Sequence, residues 1–522
     1  MTLRTHLRAA VVSAATVAAT AMAPSHGAMA QDLTVAVQKL PDVIEPVMEN
    51  SNVNQRIMFS LFDTLVLTDY RDGGRLKPSL ATSWEVESPR SIVFTLRQGV
   101  KFHTGEEMTA EDIAWTFGPE RLSRTSGSAG GGGTVVVKPF LGGIEKVEVL
   151  DRYKVRITMK GDDALIVHRF ASYPSQIESK KAFEQVGDWT EWAKAPVGTG
   201  PYKITNFTFG DRVVIEAFGD YWGDAKAGAD KVTFVAVPEI STRIAGLRSG
   251  QFDIITEVAP DEIDEIENAA GTHVVGGPVL NIRGLIYDSS NEVLADPRIR
   301  QAMNLAIDRQ AIVDSLYAGK TNVPHGWQMD VFGAMYLADR PIPEFNLEKA
   351  KALLAEAGYK GQEIVYRSQE GYYTNQGQTA RILAAMWKKA GLNVRLDMKE
   401  NWGQVMEDTA DRHVFDGSFS AYYPDPVGQV WRRFGPNGSW AQRGIYKNNE
   451  EFLRLGKILE TKTDTALRRE VFGKLLDNFA NDPHGAVLHA LPLFYGVRDD
   501  IVWKAYPTEY MNLTNAELSF KK

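Results

Sequence analysis

The spacing of hydrophobic positions along this chain switches repeatedly between two periods. In "IVFTLRQGVKF" the apolar residues Ile92, Phe94 and Leu96 alternate with other positions, which predicts a strand with one buried face. "TAEDIAWTF" follows at once. Thr109 is placed to cap a helix there, and Asp112, three positions on, has capping-box spacing. "DPRIRQAMNLAIDRQAIVDSLYAG" has helical spacing instead. Asp296 is the predicted cap, Pro297 fits the first helical position, and Ile299, Met303, Ala306 and Ile307 form one apolar stripe. Asp308 then opens a second predicted helix that ends at Gly319.

Two neighbouring segments read as weak copies of one unit. "NLEKAKALLAEAGYKGQEIVYR" predicts a capped helix, an Ala-Gly stop and a strand, and "TARILAAMWKKAGLNVRLDM" repeats that order. Helices alternating with strands argue for an α/β domain with an open, partly parallel sheet. Ligands of such sheets sit beyond the carboxyl ends of strands. The loops after Arg367, Met398 and Ala421 are therefore of interest. By contrast, "SRTSGSAGGGGTVVV" contains Gly130 to Gly133, a run that disfavours a helix or strand interior and predicts a mobile loop. No Gly-Lys-Ser/Thr follows it, so it is not a phosphate-binding P-loop.

Length changes the picture from one domain to two or three, since 522 residues exceed one compact core. The first 30 residues differ from the rest. Arg4 and Arg8 precede an apolar stretch from Ala9 to Ala23, and Ala28-Met29-Ala30 closes it. This is the layout of a secretory signal peptide cut after Ala30, and its apolar run is too short for a bilayer span. No later stretch is long and apolar enough to span one. The chain has no cysteine, which excludes disulfides, thiolate metal sites, a cysteine nucleophile and a lipid-anchored cysteine. Removing Arg4 and Arg8 takes the formal charge from -8 to -10, which argues against nucleic-acid binding.

Catalytic signatures are missing. There is no H-E-x-x-H, no G-x-S-x-G and no G-x-G-x-x-G between a strand and a helix. His103, His168, His273, His325, His413, His484 and His489 are scattered, so they read as surface or hydrogen-bonded core residues, not metal ligands. Asp261 and Asp264 sit in the acidic run "DEIDEIEN", which reads as a solvated helix face. The aromatic distribution is more informative. Trp387, Trp402, Trp431 and Trp440 lie between Tyr372 and Tyr446, together with Tyr373, Tyr422 and Tyr423. Trp387 shares a helical stripe with Ile382 and Leu383 and is expected in the core. Trp402 opens a helix at the carboxyl end of "VRLDM", where a ring suits either a ligand cleft or core packing.

Several stretches together resemble one family. "LKPSLATSWEV", "IVFTLRQGVKFHTGEEMTAEDIAWTF", "PVGTGPYKI", "LRSGQFDII", "DPRIRQAMNLAIDRQAIVDSLYAGK" and "NLEKAKALLAEAGY" occur in the order seen in family 5 extracytoplasmic solute-binding proteins. These are the dipeptide, oligopeptide and nickel receptors of ABC importers. The resemblance runs from about Leu33 to the C-terminus. It implies an α/β, two-lobed periplasmic-binding-protein fold of type II with an extra domain: three domains around an inter-lobe cleft. Residues 31–72, 197–290 and 493–522 would form a discontinuous domain I, residues 73–196 an inserted domain II, and residues 291–492 domain III. The lobes would close on ligand by hinge motion, and the closed form would meet the membrane permease. No chemical step is implied, so the chain is not expected to be an enzyme.

Many peptide-binding members carry roughly W-x-A-D-Y-x-x-P where this chain has "SAYYPDP", and their aspartate pairs with the ligand α-amino group. Tyr422 stands at that position here. A hydroxyl can hydrogen-bond an ammonium but supplies no opposite charge. Asp425 could serve instead, or could hold a turn between two prolines. Arg432 and Arg433 could meet a ligand carboxylate, or could be surface or ion-paired arginines. The expected cleft residues are Asn52, Asn54, Tyr372, Tyr373, Asn375, Trp402, Tyr422, Tyr423 and Asp425. The expected ligand is a small peptide or peptide-like solute. The alternative is a non-peptide polar solute such as an opine-like conjugate or an oligosaccharide. A chelated metal is disfavoured by the sparse histidines, and a secreted hydrolase lacks a visible catalytic pair. Neither cofactor nor metal is expected. The expected partners are the ligand and the permease subunits, with a monomeric receptor free in the periplasm.

Overall fold

The alternation in "IVFTL" is realised as the strand Ser91–Leu96, with Ile92, Phe94 and Leu96 buried. It lies in a four-stranded antiparallel sheet with Ala81–Ser88, Lys154–Met159 and Ile144–Asp151. The helix Ala110–Thr116 starts where the capping pattern puts it, and the Asp112 carboxylate accepts from the Thr109 amide at 2.9 Å. The computed structural model describes residue 1 and residues 31–123 and 132–521. The expected signal segment, from residue 2 to its cleavage position, lies outside the described residues, as do residues 124–131. The glycine run therefore falls only partly inside them. Gly132 and Gly133 open the helix Gly132–Leu141, where a loop was expected. At a helix start their backbone entropy costs less than in an interior.

A ten-stranded mixed sheet organises the rest. Its order is Val394–Lys399, Ile364–Gln369, Val414–Ser420, Thr272–Tyr287, Gly485–Arg498, Ile254–Ile255, Asp32–Val37, Lys231–Ala236, Arg212–Ala217 and Tyr202–Thr208. The first three strands run parallel to one another, because a helix crosses over between consecutive members of the repeat. Thr272–Tyr287 and Gly485–Arg498, of 16 and 14 residues, are the longest strands among the described residues and pair antiparallel. Their register shifts between Pro278 and Ile282 and again between Arg283 and Gly284. Gly276 sits in this pair at φ 112°, and a Cβ there would lie 2.1 Å from the Leu493 carbonyl oxygen, so only glycine fits.

The repeated helix–strand unit packs as the periodicity predicts. Asp296 caps Pro297–Leu305 by accepting from the Arg298 amide at 2.9 Å. Arg309–Tyr317 follows its cap Asp308 and stops one residue early, where Ala318 takes the left-handed conformation ahead of Gly319. Leu347–Glu356 and Gln376–Lys389 precede the parallel strands. Met303, Ile307, Tyr366, Leu383 and Trp387 share one core cluster between these helices and the sheet. Trp387 is fully buried, and its indole N–H donates to the Met303 carbonyl at 3.0 Å, so the ring's polar edge is satisfied inside that core. The expectation that it is a packing residue holds.

Candidate functional site

A cavity of about 500 Å³ lies beyond the carboxyl ends of the three parallel strands. The size is that of a small-molecule site. Tyr372 and Tyr373 follow Ile364–Gln369, Trp402 follows Val394–Lys399, and Tyr422 follows Val414–Ser420. The opposite wall comes from Met48 to Val53, ahead of and within the first turn of the helix Asn52–Leu61, and from Val136 and Pro139. Of the nine residues expected in a cleft, Asn52, Tyr372, Tyr373, Trp402 and Tyr422 are brought together here.

The wall formed by Met48 to Val53 is ordered by local capping. Ser51 caps the Asn52–Leu61 helix, its hydroxyl accepting from the Asn54 amide at 3.1 Å and donating to the Glu49 carboxylate. Glu49 also accepts from the amides of Asp42 and Val43 at 2.9 and 3.1 Å. Burial pushes its carboxyl up to about 7 in spite of these bonds. Across the cavity, the Tyr422 hydroxyl donates to the Asn50 side-chain oxygen and accepts from the Gln55 amide nitrogen at 2.8 Å. Both of its roles are thus occupied by residues more than 360 positions away in sequence. Tyr372 and Tyr373 meet edge to face at 4.7 Å, and Gln376 holds both backbone amides. Trp402 is half-buried, with its edge toward Phe415.

The other four expected residues do not line this cavity. Asp425 is buried, and its carboxylate accepts from Arg468 at 2.8 Å and from the Val427 amide at 2.9 Å. It holds a turn and an ion pair, which corrects the reading of it as a ligand anchor. Tyr423 is fully buried under the guanidinium of Arg169. Asn54 is fully buried on the inner side of its helix. Asn375 takes a left-handed conformation ahead of Gln376–Lys389 and donates to the Leu316 carbonyl at 2.7 Å. Each of these is committed to the fold.

Of the alternatives open for Arg432 and Arg433, a solvated surface position and an ion pair do not describe them. A π-helical turn over Val427–Trp431 leads into the short helix Arg432–Phe434 and turns both side chains into the cavity wall. Arg432 lies 4.2 Å from the Tyr422 ring centre and 5.1 Å from that of Phe140. Arg433 lies 4.4 Å from the Trp440 ring centre. Burial, and then Arg433, pull Arg432 down to about 9, and burial pulls Arg433 down as well. Arg443 also lines the cavity. No charge pattern in the sequence marks these arginines as buried. The only signal was the density of aromatic residues around them.

The histidines are structural. Half-buried His103 and the buried His484 and His489 are held well below the ordinary imidazole value, at about 4, 4 and 3, chiefly by desolvation. No cluster of three or more His, Asp or Glu side chains suited to a metal ion occurs among the described residues. No helix among them is long and apolar enough to cross a membrane.

Residues 75–440 match the family described as bacterial extracellular solute-binding proteins, family 5 Middle. A similar curated protein is the Di/tripeptide-binding protein 3 of Pseudomonas aeruginosa (strain UCBPP-PA14). It is 27% identical over 373 residues, covering 67% of this chain and 68% of that one. In fold, the chain is similar to the ABC transporter-associated periplasmic binding protein DppA from Helicobacter pylori in complex with peptide STSA. The TM-score is 0.84 at 23% identity, over 94% of this chain and 98% of that one. It is also similar to the binding protein AgaA in complex with agropinic acid, from A.tumefacien R10. There the TM-score is 0.80 at 23% identity, over 94% and 99% of the two chains.

Proposed function

The chain belongs to the bacterial extracellular solute-binding proteins of family 5, and from that membership we propose that it is the periplasmic substrate-binding component of an ABC importer. It captures a peptide or peptide-like small solute in the cavity behind Tyr372, Trp402 and Tyr422, closes its lobes on it and delivers it to the membrane permease. The observation that carries this reading is the cavity itself. Its walls come from segments hundreds of residues apart, so a ligand touching both walls favours the closed arrangement by its differential affinity. The three-domain division proposed from the resemblance puts residues 48–53 in domain I, Pro139 in domain II and residues 372–443 in domain III. On that division Gly485–Arg498 crosses from domain III into domain I, paired with Thr272–Tyr287 of domain I. The receptor is proposed to act as a monomer, released after cleavage at Ala30. Asn52, Tyr372, Tyr373, Trp402 and Tyr422 are the proposed ligand contacts.

A second reading, a non-peptide polar solute, is favoured by one observation. Tyr422 stands where the resemblance implies an acid in many peptide-binding members, and its hydroxyl is already bonded on both sides. The fold alone leaves both readings open, since one neighbour of this fold holds a peptide and another holds agropinic acid. Mass spectrometry of solute released from the purified protein tests the receptor function. A thermal-shift panel supports it, because a solute at 100 times its dissociation constant stabilises by about 2.7 kcal/mol. Recovery of a bound small solute is expected. Catalytic conversion of a panel member would refute the receptor reading.

A further inference from the structure

The cavity wall contains a charge imbalance that the fold does not resolve. Most buried arginines elsewhere among the described residues meet an acid. Arg121 meets Glu45 and Glu178, Arg283 meets Asp416, Arg412 meets Asp288 and Arg468 meets Asp425. The buried arginines without an acid have several carbonyl partners instead. Arg243 donates to the Val237, Pro238 and Thr256 carbonyls, and Arg309 to those of Asn304, Ile307 and Val487. Arg432 has one partner, the Gly428 carbonyl at 3.3 Å, and Arg433 has one, the Ser418 carbonyl at 3.0 Å. Arg432 is only 5% exposed, and its Nη2 is buried with no hydrogen-bond partner. Nε of Arg433 is in the same condition. Neither has an ion-pair partner among the described residues.

Two adjacent guanidinium groups without a counter-charge, Arg432 buried and Arg433 half-buried with its Nε enclosed, are costly, and the cost is removed by an anion that fits both forks. The carboxylates of the same cavity already have partners. Asp42 lies at the rim beside Lys39, at 3.6 Å. Glu49 is engaged by two backbone amides and Ser51. The aromatic rings around the arginines supply flat apolar contact and no further negative charge.

We infer that the solute is recognised by an anionic oxyacid group, a carboxylate, seated against Arg432 and Arg433, and that it needs no free amine. This rests on the receptor reading above and deepens it. The solute class is then a carboxylic acid whose nitrogen, if any, is acylated or otherwise uncharged, of a size that fits about 500 Å³. Arg432 is the specificity-determining residue and Tyr422 is the platform under it.

The test has three arms. First, protein freed of solute by unfolding and refolding is compared with Arg432→Met and, separately, Arg433→Met. The melting temperature of at least one variant is expected to equal or exceed wild type, because an uncompensated buried charge has been removed. A fall of several degrees in both would show that the charges are satisfied in the empty protein, and would overturn the inference. Second, Ala-Phe is offered to wild type as the free, N-acetylated, C-amidated and doubly blocked dipeptide, and dissociation constants are read by calorimetry. Acetylation is expected to change affinity less than threefold and amidation to weaken it more than tenfold. The reverse pattern overturns the inference and leaves the receptor standing. Third, the solute released from the purified protein is weighed and its charge determined. An acid without a free amine supports the inference, and a cationic or neutral solute overturns it while the receptor reading survives. Absence of any released solute, together with no binding in the panel, removes the receptor reading itself.

Discussion

Asp425 offers the sharpest test of how the "YYPDP" segment works, because its two readings predict different phenotypes for one substitution. In the structure Asp425 is 4% exposed and Arg468, its partner, 7%. The carboxylate accepts from the Arg468 Nη2 at 2.8 Å, and the only other partner of that guanidinium among the described residues is the Leu459 carbonyl, at 3.0 Å from Nε. Asp425→Ala therefore leaves a buried positive charge with one carbonyl. Removing one partner of a buried ion pair costs roughly 3–5 kcal/mol, whereas replacing both by apolar groups of similar volume is often close to neutral. Urea midpoints measured by circular dichroism on wild type, Asp425→Ala, Arg468→Met and the double variant give the coupling between the two. Asp425→Ala is expected to lose about 3–5 kcal/mol, and the double variant to regain most of it. The reasoning fails if Asp425→Ala keeps wild-type stability to within about 0.5 kcal/mol, the range of an ordinary surface change, and instead abolishes solute binding. That result would return Asp425 to the ligand site.

Three further outcomes are expected. Trp402→Ala should weaken solute binding by more than about 1 kcal/mol, as an aromatic anchor at the cavity wall does, and an unchanged dissociation constant would take Trp402 out of the site. Tyr422→Asp should fail to create an ammonium site, because the new carboxylate faces Arg432, which lies 4.2 Å from the present ring, and pairs with it. A gain of tenfold or more for free-amine dipeptides, read by calorimetry, would contradict this. His489 is held neutral at about 3 in the fold, against about 6.5 unfolded. Its depressed value means that stability is fully present above about 6.5 and is lost as pH falls toward 3. His489→Gln should therefore show a shallower fall in melting temperature between pH 6.5 and 4, and parallel curves would refute the assignment.

Much of the scaffold was legible because it is written locally. The cap Asp296, the stripe Ile299–Met303–Ala306–Ile307 and the duplicated helix–strand unit each depend on neighbours within a few residues, and each is found as the spacing implies. The rule that ligands gather beyond strand ends then pointed to Tyr372, Trp402 and Tyr422, which do line one cavity. The same rule could not separate Tyr422 from Tyr423 or Asp425. Side chains one and three residues apart leave the loop in different directions, and only the path of the chain between Ser420 and Val427 decides which faces inward.

The site's chemistry was less legible for a related reason. Whether an arginine is a solvated surface group or a buried charge depends on what distant segments place around it. Arg468 finds its acid 43 residues away and Arg56 finds Glu257 201 residues away, while Arg432 finds none among the described residues. In sequence these three positions look alike. The difference that matters for function is the missing partner. A fold that neutralises its other buried arginines with acids or several carbonyls, and leaves two adjacent ones open on a cavity, has reserved that neutralisation for the solute. Tyr422, at the position where the resemblance implies an acid in peptide-binding members, belongs to the same arrangement. An aspartate there would satisfy Arg432 from within the protein and remove the energetic reason for an anionic ligand to bind.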